Sequence, residues 1–473
     1  MLQKFLKLFL AFSFLTSEMA FAQNQTADIT PILPSDSLPF QISIELADFS
    51  LPNGLQGYVT GIYKGYWLLL AGRTNGVHGF SSGNDNFPPL EQNTVVYVVN
   101  TLTGAVSSKS LHDPSSGLTQ TQIDSLSVTA AEGYQNVNTL YVAGGYGVDT
   151  STGQFNTKDA LTAVDIPGLI HWVITPSPGE TASQYIRQTF HPFVQVTGGY
   201  LSQVNPHGDY LLVFGQNFTG FYSDSSNGNY TQQVRSFRII DNGKQFYIQP
   251  KLSSNINPSY RRRDLNVVPI IQKIGTNYRS ALVALSGVFT LDTGVWTVPV
   301  TINADGSSFM ADPNNPNTFK QGMNNYYSAY ISLFSKKTKD TFIILLGGLS
   351  YGYFQSGVFI TNPEIPFTNQ VTTIKIDQKG NFSQHIMNNQ YPVILSTGSN
   401  PGNQLYFGAS CKFYPVSSLP RYPNDVFQYE KLGNKPILIG YIVGGIQSTV
   451  LNTNFITDST ASPYIFKVFL QPK

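Results

Sequence analysis

A repeated unit limits what this chain can fold into more than any other feature of its sequence. The unit is a run of apolar residues, then two small residues, then a polar loop rich in Gly, Ser and Asn. A small residue marks the six copies at positions 72, 144, 215, 286, 347 and 444. The last interval, 97 residues, is less than twice the shortest one, 61 residues, so a seventh copy does not fit into it. We therefore expect six copies of one structural unit.

Each apolar run is too short for a buried helix and ends at glycine, which predicts a central strand covered on both faces. After the polar loop comes a strand with alternating apolar residues, as in 95–99 and 371–376, and a further strand follows a tight turn. The innermost strand is expected ahead of the apolar run, as in 193–196 and 265–268. Four antiparallel strands at regular spacing are typical of a propeller blade. We predict an all-β fold, a six-bladed β-propeller.

The strand that ends in two small residues, for example 343–348, resembles the Kelch repeat, and the resemblance covers essentially all of the mature chain. Trp172, in the segment 169–172, lies where a Kelch unit carries its outer-strand Trp. Two departures stand out: Ser286 replaces the first glycine of the fourth copy, and the units are longer than the roughly 50 residues of a Kelch unit. The resemblance implies a Kelch-like propeller rather than membership of one Kelch enzyme family.

The two ends of the mature chain predict how the propeller closes. Residues 40–46 have the pattern of an outer strand, and residues 464–470 that of a strand of the last blade. Pairing of the N-terminal strand with the C-terminal blade removes the open sheet edges that promote aggregation. We therefore expect residues 23–473 to form a single domain.

Residues 1–22 have the pattern of a signal peptide. Lys4 and Lys7 precede an apolar run at 8–15. Ala20-Phe21-Ala22, before Gln23, has the small-x-small pattern of a cleavage site. The run is far shorter than the ~20 residues that span a bilayer. We expect a protein that is exported to the periplasm or the extracellular space without membrane insertion. Cys411 is the single cysteine, so no intramolecular disulfide can form.

Composition and charge weigh against several classes of partner. The 28 Lys and Arg nearly cancel the 27 Asp and Glu, so no net field attracts nucleic acid to the whole chain. The six His show no spacing typical of a metal site. We expect no metal, no cofactor and no nucleic-acid partner, and we expect a monomer; no catalytic residue is assigned.

One face of the predicted propeller collects the long loops after each small pair and the segments that lead into the innermost strands. Long loops on a rigid scaffold commonly bind ligands. The candidate binding residues on this face are Arg187, His191, Arg262, Arg263, Asp264, Tyr326 and Tyr351. Guanidinium groups near one axis suit a carboxylate. In the alternative interpretation Arg262 or Arg263 pairs with Asp264 or donates to backbone carbonyls, and aromatic residues fix the loops.

We favour an exported, non-catalytic recognition protein that binds a glycan, an acidic small molecule, a peptide or a protein partner. The alternative is an enzyme that resembles the Kelch-type sialic acid mutarotases. In that case Arg would hold an anionic sugar, and His191 or Asp264 would act as acid or base. The enzyme requires Arg263, Asp264 and His191 to converge in one pocket within hydrogen-bond reach, whereas a binding protein does not.

Overall fold

The computed structural model describes residues 29–79, 86–223, 228–275, 277–291 and 294–473, and it shows an all-β chain. In these ranges six sheets have four or more strands, and four strands of each form an antiparallel run. The predicted signal peptide, residues 1–22, lies outside the described residues. No described helix is long and apolar enough to cross a bilayer.

The sheets are numbered in chain order by their antiparallel strands. Sheet 1 contains Val59–Tyr63, Tyr66–Leu70, Val95–Asn100 and Val106–Ser110. Sheet 2 contains Glu132–Asn136, Thr139–Ala143, Ala160–Asp165 and Ile186–Phe190. Sheet 3 contains Tyr200–Ser202, Tyr210–Val213, Val234–Asp241 and Phe246–Pro250.

The second half of the chain repeats this arrangement. Sheet 4 contains Val267–Ile274, Asn277–Ala284, Val300–Asn303 and Ser308–Met310. Sheet 5 contains Ala329–Phe334, Thr341–Leu349, Phe367–Ile376 and Phe382–Gln390, with Ile32–Pro34 and Phe427–Gln428 added in parallel at its edges. Sheet 6 contains Lys412–Pro415, Ile437–Val443, Ile465–Pro472 and Phe40–Leu46.

Shorter elements lie in the loops. The loop strands are Tyr146–Asp149, Gln154–Thr157, Gln216–Asn217, Asn229–Tyr230, Gly352–Gln355, Val358–Thr361, Tyr406–Ala409, Ile446–Ser448 and Ser459–Ala461. The 3-10 turns are Ser35–Ser37, Pro89–Glu91, Ala182–Tyr185, Pro192–Val194, Pro258–Tyr260, Tyr429–Leu432 and Ile456–Asp458. Within the described ranges the α-helices are α1, Gln120–Leu126, and α2, Ile166–Ile174.

The N-terminal strand is the outer strand of sheet 6. Phe40–Leu46 pairs antiparallel with Ile465–Pro472, from Phe40 opposite Pro472 to Leu46 opposite Phe466. Alternate side chains of a strand point to opposite faces. Phe40, Ile42 and Ile44 are accordingly buried in one apolar cluster with residues of sheets 5 and 6. Residues about 420 positions apart in sequence thus form one sheet.

Apolar packing on both faces explains why the second strand of each sheet has an uninterrupted apolar run. In sheet 1, Leu68 and Leu70 pack in a cluster shared with sheet 2. Trp67 and Leu69 point the other way, into a cluster with Tyr414 and other residues of sheet 6. Similar clusters join sheets 2 and 3, 3 and 4, 4 and 5, and 5 and 6.

Helix α2 overturns the expectation of an outer strand around Trp172. Asp165 caps the helix by accepting a hydrogen bond from the Gly168 N–H at 2.7 Å, and Pro167 lies in its first turn, where proline favours a helix start. The side chain of Trp172 is fully buried in the cluster between sheets 1 and 2. Trp172 is therefore buried because its helix packs between two sheets, and not because it lies on an outer strand.

The prediction of the innermost strand of sheet 3 was also wrong. Residues 193–196 include a 3-10 turn that begins at Pro192, and the strand itself is the short Tyr200–Ser202. Gly198, between them, has a φ of 69°, so the chain bends before the strand begins. In sheet 4 the innermost strand begins at Val267, two residues later than predicted.

Candidate functional site

A cavity of about 190 Å³ lies where the six sheets contribute equivalent segments. In every numbered sheet, an antiparallel bridge joins a residue ahead of the innermost strand to a residue at the end of the second strand or just after it. Of the twelve bridge residues, all except Ala409 line the cavity. The bridges are Gln56–Arg73, Thr129–Tyr146, Thr197–Gln216, Arg263–Val288, Tyr326–Leu349 and Ala409–Ile446.

One residue per sheet follows the bridge, and we call these six the floor residues, of which all except Gly57 line the cavity. These six floor residues all have left-handed backbones and are Gly57, Ala130, Gly198, Asp264, Tyr327 and Ser410. Backbone N–H groups connect them: Asp264 donates to Gly198, Gly198 to Ala130, Ala130 to Gly57, Gly57 to Ser410 and Ser410 to Tyr327, over 2.7–3.2 Å. This chain of hydrogen bonds passes through a residue of every sheet.

Arg263 places a buried guanidinium at the cavity wall. Its Nη2 donates to the Tyr222 hydroxyl at 2.7 Å, and its Cζ lies 5.3 Å from the Tyr222 ring centre and 5.4 Å from that of Phe289. Its Nε lies 3.5 Å from Asp264 Oδ2, an ion pair too long for a good hydrogen bond. This buried Nε has no hydrogen-bond partner among the described residues. The positive charge of the group is therefore only partly compensated by the protein.

Arg73 supplies a second buried guanidinium to the lining. Its Nε donates to Asn75 Oδ1 at 3.0 Å and its Nη2 to the Pro88 carbonyl at 2.8 Å, and the group stacks over Phe87. Burial lowers the pKa of Arg73 to about 10, so this side chain stays charged at neutral pH. The only signal for Arg73 in the sequence is that it directly follows a pair of small residues. The residue at this position lines the cavity in every numbered sheet.

An aromatic group covers the same side of the cavity. The His78 ring stacks on Phe87, with centres 4.8 Å apart, and meets the edge of Tyr222 at 4.6 Å. Burial lowers the pKa of His78 to about 4, so the imidazole is neutral at pH 7. The charged side chains that line the described part of the cavity are two cations, Arg73 and Arg263, and one anion, Asp264. The lining thus has one excess positive charge.

Three of the predicted site residues meet in this cavity: Arg263, Asp264 and Tyr326. Burial raises the pKa of the Asp264 carboxyl, while Arg263 counteracts that shift. Tyr351 is elsewhere: its side chain is buried, its N–H donates to Asn324 Oδ1 at 3.3 Å, and it does not line the cavity.

Arg187 and His191 lie away from the cavity. Arg187 is on the outer strand of sheet 2 and forms a bidentate ion pair with Asp241. His191 precedes a 3-10 turn, and its Nδ1 accepts from the Phe193 N–H at 3.0 Å. Helix α2 explains the error, because it is inserted before the outer strand of sheet 2. Residues 186–190 are therefore that outer strand and do not lead into sheet 3.

Arg262 is a structural residue, as the alternative interpretation held. It is fully buried and its Nε and Nη1 donate to the carbonyls of Ser259 and Ser286 at 3.1 and 3.3 Å. Its guanidinium also stacks over Trp296 at 4.8 Å. Burial lowers the pKa of Arg262 to about 9. Arg262 and Arg263 are neighbours in sequence, but only Arg263 reaches the cavity.

Aromatic residues of the loop after the second strand of sheet 3 also reach the site. Phe218 and Tyr222, from the loop after the second strand of sheet 3, line the cavity, and Asn86 Nδ2 donates to the Tyr222 carbonyl at 2.6 Å. The loop of sheet 3 therefore contacts the loop of sheet 1. Within the described residues, no group of three or more His, Cys, Asp or Glu is placed to hold a metal.

Comparisons with known proteins add little to this geometry. No protein-family model and no curated protein matches the sequence. One solved structure, described as "Structure of YjhT", has 11% sequence identity to this chain and a TM-score of 0.44, over 89% of this chain and 98% of that one. The functional assignment consequently depends on the residues of the cavity.

Proposed function

We propose that this chain is an exported, Kelch-like binding protein whose six sheets are the blades of a closed propeller. Three observations support closure. Apolar clusters join every pair of consecutive sheets, and one joins sheet 6 to sheet 1. The floor residues are linked from sheet to sheet by backbone hydrogen bonds. The N-terminal strand is the outer strand of the C-terminal sheet.

The proposed ligand is an acidic small molecule, or the acidic end of a glycan or peptide. The observation that carries this proposal is the pair of buried guanidiniums, Arg73 and Arg263, in an aromatic cavity with one carboxylate. A charge-assisted hydrogen bond from a guanidinium to a carboxylate is stronger than a neutral one, and removal from water strengthens it further. The rings of Phe87, Tyr222 and Phe289 offer apolar surface to the rest of the ligand.

Binding without turnover agrees best with the positions of the predicted acid–base residues. The enzyme alternative required His191 to meet Arg263 and Asp264, but His191 lies outside the cavity lining. Arg263 and Asp264 already form an ion pair with each other. This arrangement suits recognition of charge, which needs no proton transfer.

Calorimetric titration of the chain from Gln23 onward tests the proposal. Benzoate and benzamide have the same shape but differ in charge, so we expect benzoate to bind at least about tenfold more tightly. Arg263→Gln should abolish this preference because it removes the guanidinium. Arg187→Gln is the matched control: it removes an Arg whose ion pair lies outside the cavity and should leave the preference intact.

Equal affinity for benzoate and benzamide, or loss of the preference in both variants, contradicts the proposal. Added salt provides a second check on the contribution of charge, because it weakens exposed ion pairs much more than buried ones. Benzoate affinity should therefore fall only slightly between low and physiological salt.

A further inference from the structure

We propose that Asp264, Tyr327 and Ser410 recognise a hydroxyl group of the ligand, so that the cavity selects small aromatic acids that carry a hydroxyl. This inference rests on the proposed function, since Arg263 and Arg73 are required to hold the carboxylate. It adds the substrate class and the residues that define it.

The first observation is that the floor of the cavity is one-sided. The floor residues of sheets 1 to 3 are Gly57, Ala130 and Gly198, which present no polar side chain. Those of sheets 4 to 6 are Asp264, Tyr327 and Ser410, which are polar and line the cavity. The backbone is left-handed at all six positions, and the side chains distinguish the two halves.

The second observation is backbone strain. Asp264, Tyr327 and Ser410 have φ of 48°, 55° and 56°, a left-handed conformation that disfavours residues with a Cβ. Glycine adopts it without strain, as Gly57 and Gly198 do in the same chain of hydrogen bonds. Ala130 has the same conformation, with a φ of 50°, so the strain belongs to the repeated backbone; what distinguishes sheets 4 to 6 is that a polar side chain occupies each strained position.

The third observation is that glycine leaves space for the polar half. A Cβ added at Gly198 would lie 2.8 Å from Asp264 Oδ1, closer than atoms in contact allow. The carboxylate of Asp264 therefore occupies room that a larger residue in sheet 3 would take. The small neighbour at Gly198 thus leaves room for this carboxylate.

The chemistry of the three side chains fits a hydroxyl. The carboxylate of Asp264 accepts a hydrogen bond, and the hydroxyls of Tyr327 and Ser410 can each accept or donate one. The walls above them are aromatic and apolar, with Phe87, Phe289 and Leu349 among the lining residues. Such walls favour a flat aromatic ring, and the inference requires a hydroxyl on that ring to meet the polar floor residues. Asp264 already pairs with Arg263, and the Tyr327 hydroxyl interacts with Ser410, so a ligand hydroxyl would add a hydrogen bond to this group.

The affinities of benzoate and of 2-, 3- and 4-hydroxybenzoate for the chain from Gln23 onward test the inference. We expect at least one hydroxybenzoate to bind about tenfold or more tighter than benzoate, as a hydrogen bond to a charged acceptor allows. Asp264→Asn keeps the shape and tolerates a left-handed backbone, and Tyr327→Phe keeps the ring. Each variant should reduce the ratio of the two affinities toward one.

Ala71→Gly is the matched control, because Ala71 has the same left-handed backbone, with a φ of 61°, but does not line the cavity. It should leave the affinity ratio unchanged. Ser410→Gly removes a hydroxyl and relieves backbone strain, so we expect a lower ratio together with a higher melting temperature. A purely structural Ser410 would give a lower melting temperature and an unchanged ratio.

The possible failures are distinguishable. If benzoate binds through Arg263 but every hydroxybenzoate binds equally well, the hydroxyl inference is overturned and the proposed function stands. If none of these acids binds, both are overturned. An unchanged ratio in Asp264→Asn, Tyr327→Phe and Ser410→Gly also overturns the inference, because the discrimination would then arise elsewhere.

Discussion

At the scale of single residues, burial decides which charged groups matter. Glu132 is the first residue of sheet 2 and is buried, and its Oε1 accepts from the Gly199 N–H at 2.8 Å. Its Oε2 has no hydrogen-bond partner among the described residues. Burial raises the pKa of Glu132 well above its ordinary value of 4.5, although Lys412 opposes that shift. Burying the charged form opposes folding, so this carboxylate makes stability depend on pH.

Glu132→Gln should make the chain more stable than the wild type at neutral pH. The pKa of Glu132 is higher in the folded than in the unfolded state, so the folded state binds the extra proton. The contribution of Glu132 to the free energy of unfolding is therefore fully present below pH 4.5, and it is lost as pH rises through the pKa of the folded state. Urea unfolding between pH 3.5 and 8 measures the effect. The gain from Glu132→Gln should increase with pH across this range, and a gain that does not change with pH contradicts the explanation.

Individual residues were also the hardest to assign from sequence. Arg262 and Arg263 are identical in kind, and only the three-dimensional path of the loop determines that one donates to carbonyls and the other lines the cavity. Arg73 could have been found from the repeat, since it occupies the bridge position of sheet 1. Arg187 was selected because residues 187–191 were expected to lead into the innermost strand of sheet 3, but it lies on the outer strand of sheet 2.

At the scale of elements, the strands with the most buried apolar residues were the easiest to predict from sequence. The second strands were predicted well because both of their faces are covered, which leaves a long apolar signal. The innermost strand of sheet 3 has only three residues, Tyr200–Ser202, too few for a periodic pattern. Helix α2 was not predicted because its nine residues have the apolar content of a strand. Its main helix signals are the cap at Asp165 and the proline at position 167.

The N-terminal strand should contribute strongly to stability. Ile42 is fully buried in the cluster of sheets 5 and 6, so Ile42→Ala should lower the free energy of unfolding by about 2–5 kcal/mol. Ser43→Ala, the next residue and directed to the opposite face, is the control and should change it by less than about 0.5 kcal/mol. Denaturant unfolding measures both. Equal, small effects would show that residues 40–46 contribute little to the fold.

At the scale of the whole molecule, the packing predicts one cooperative unit. Trp67 reports on the contact of sheets 1 and 6, where its ring lies 4.5 Å from that of Tyr414. Trp296 lies beside sheet 4 and donates its indole N–H to the Arg261 carbonyl at 2.7 Å. Trp172 lies in α2 between sheets 1 and 2. The three tryptophans therefore sample separate parts of the chain.

Three variants that each retain one Trp, with the other two changed to Phe, test this cooperativity. In each variant we expect the fluorescence midpoint in urea to equal that variant's own midpoint by circular dichroism, as for two-state unfolding. Because each protein is compared with itself, differences in stability between variants do not matter. A fluorescence change of Trp67 ahead of the loss of sheet structure would mean that the contact of sheets 1 and 6 opens separately.

The pairing of Phe40–Leu46 with Ile465–Pro472 also has a consequence for biosynthesis. A ribosome adding about 5–20 residues per second takes on the order of 20–80 s to pass from one strand to the other. Throughout that interval the nascent chain carries Phe40, Ile42 and Ile44 without the partner that covers them. Chaperone binding during translation, or translocation of the chain before it folds, would protect this segment until its last neighbour has been made.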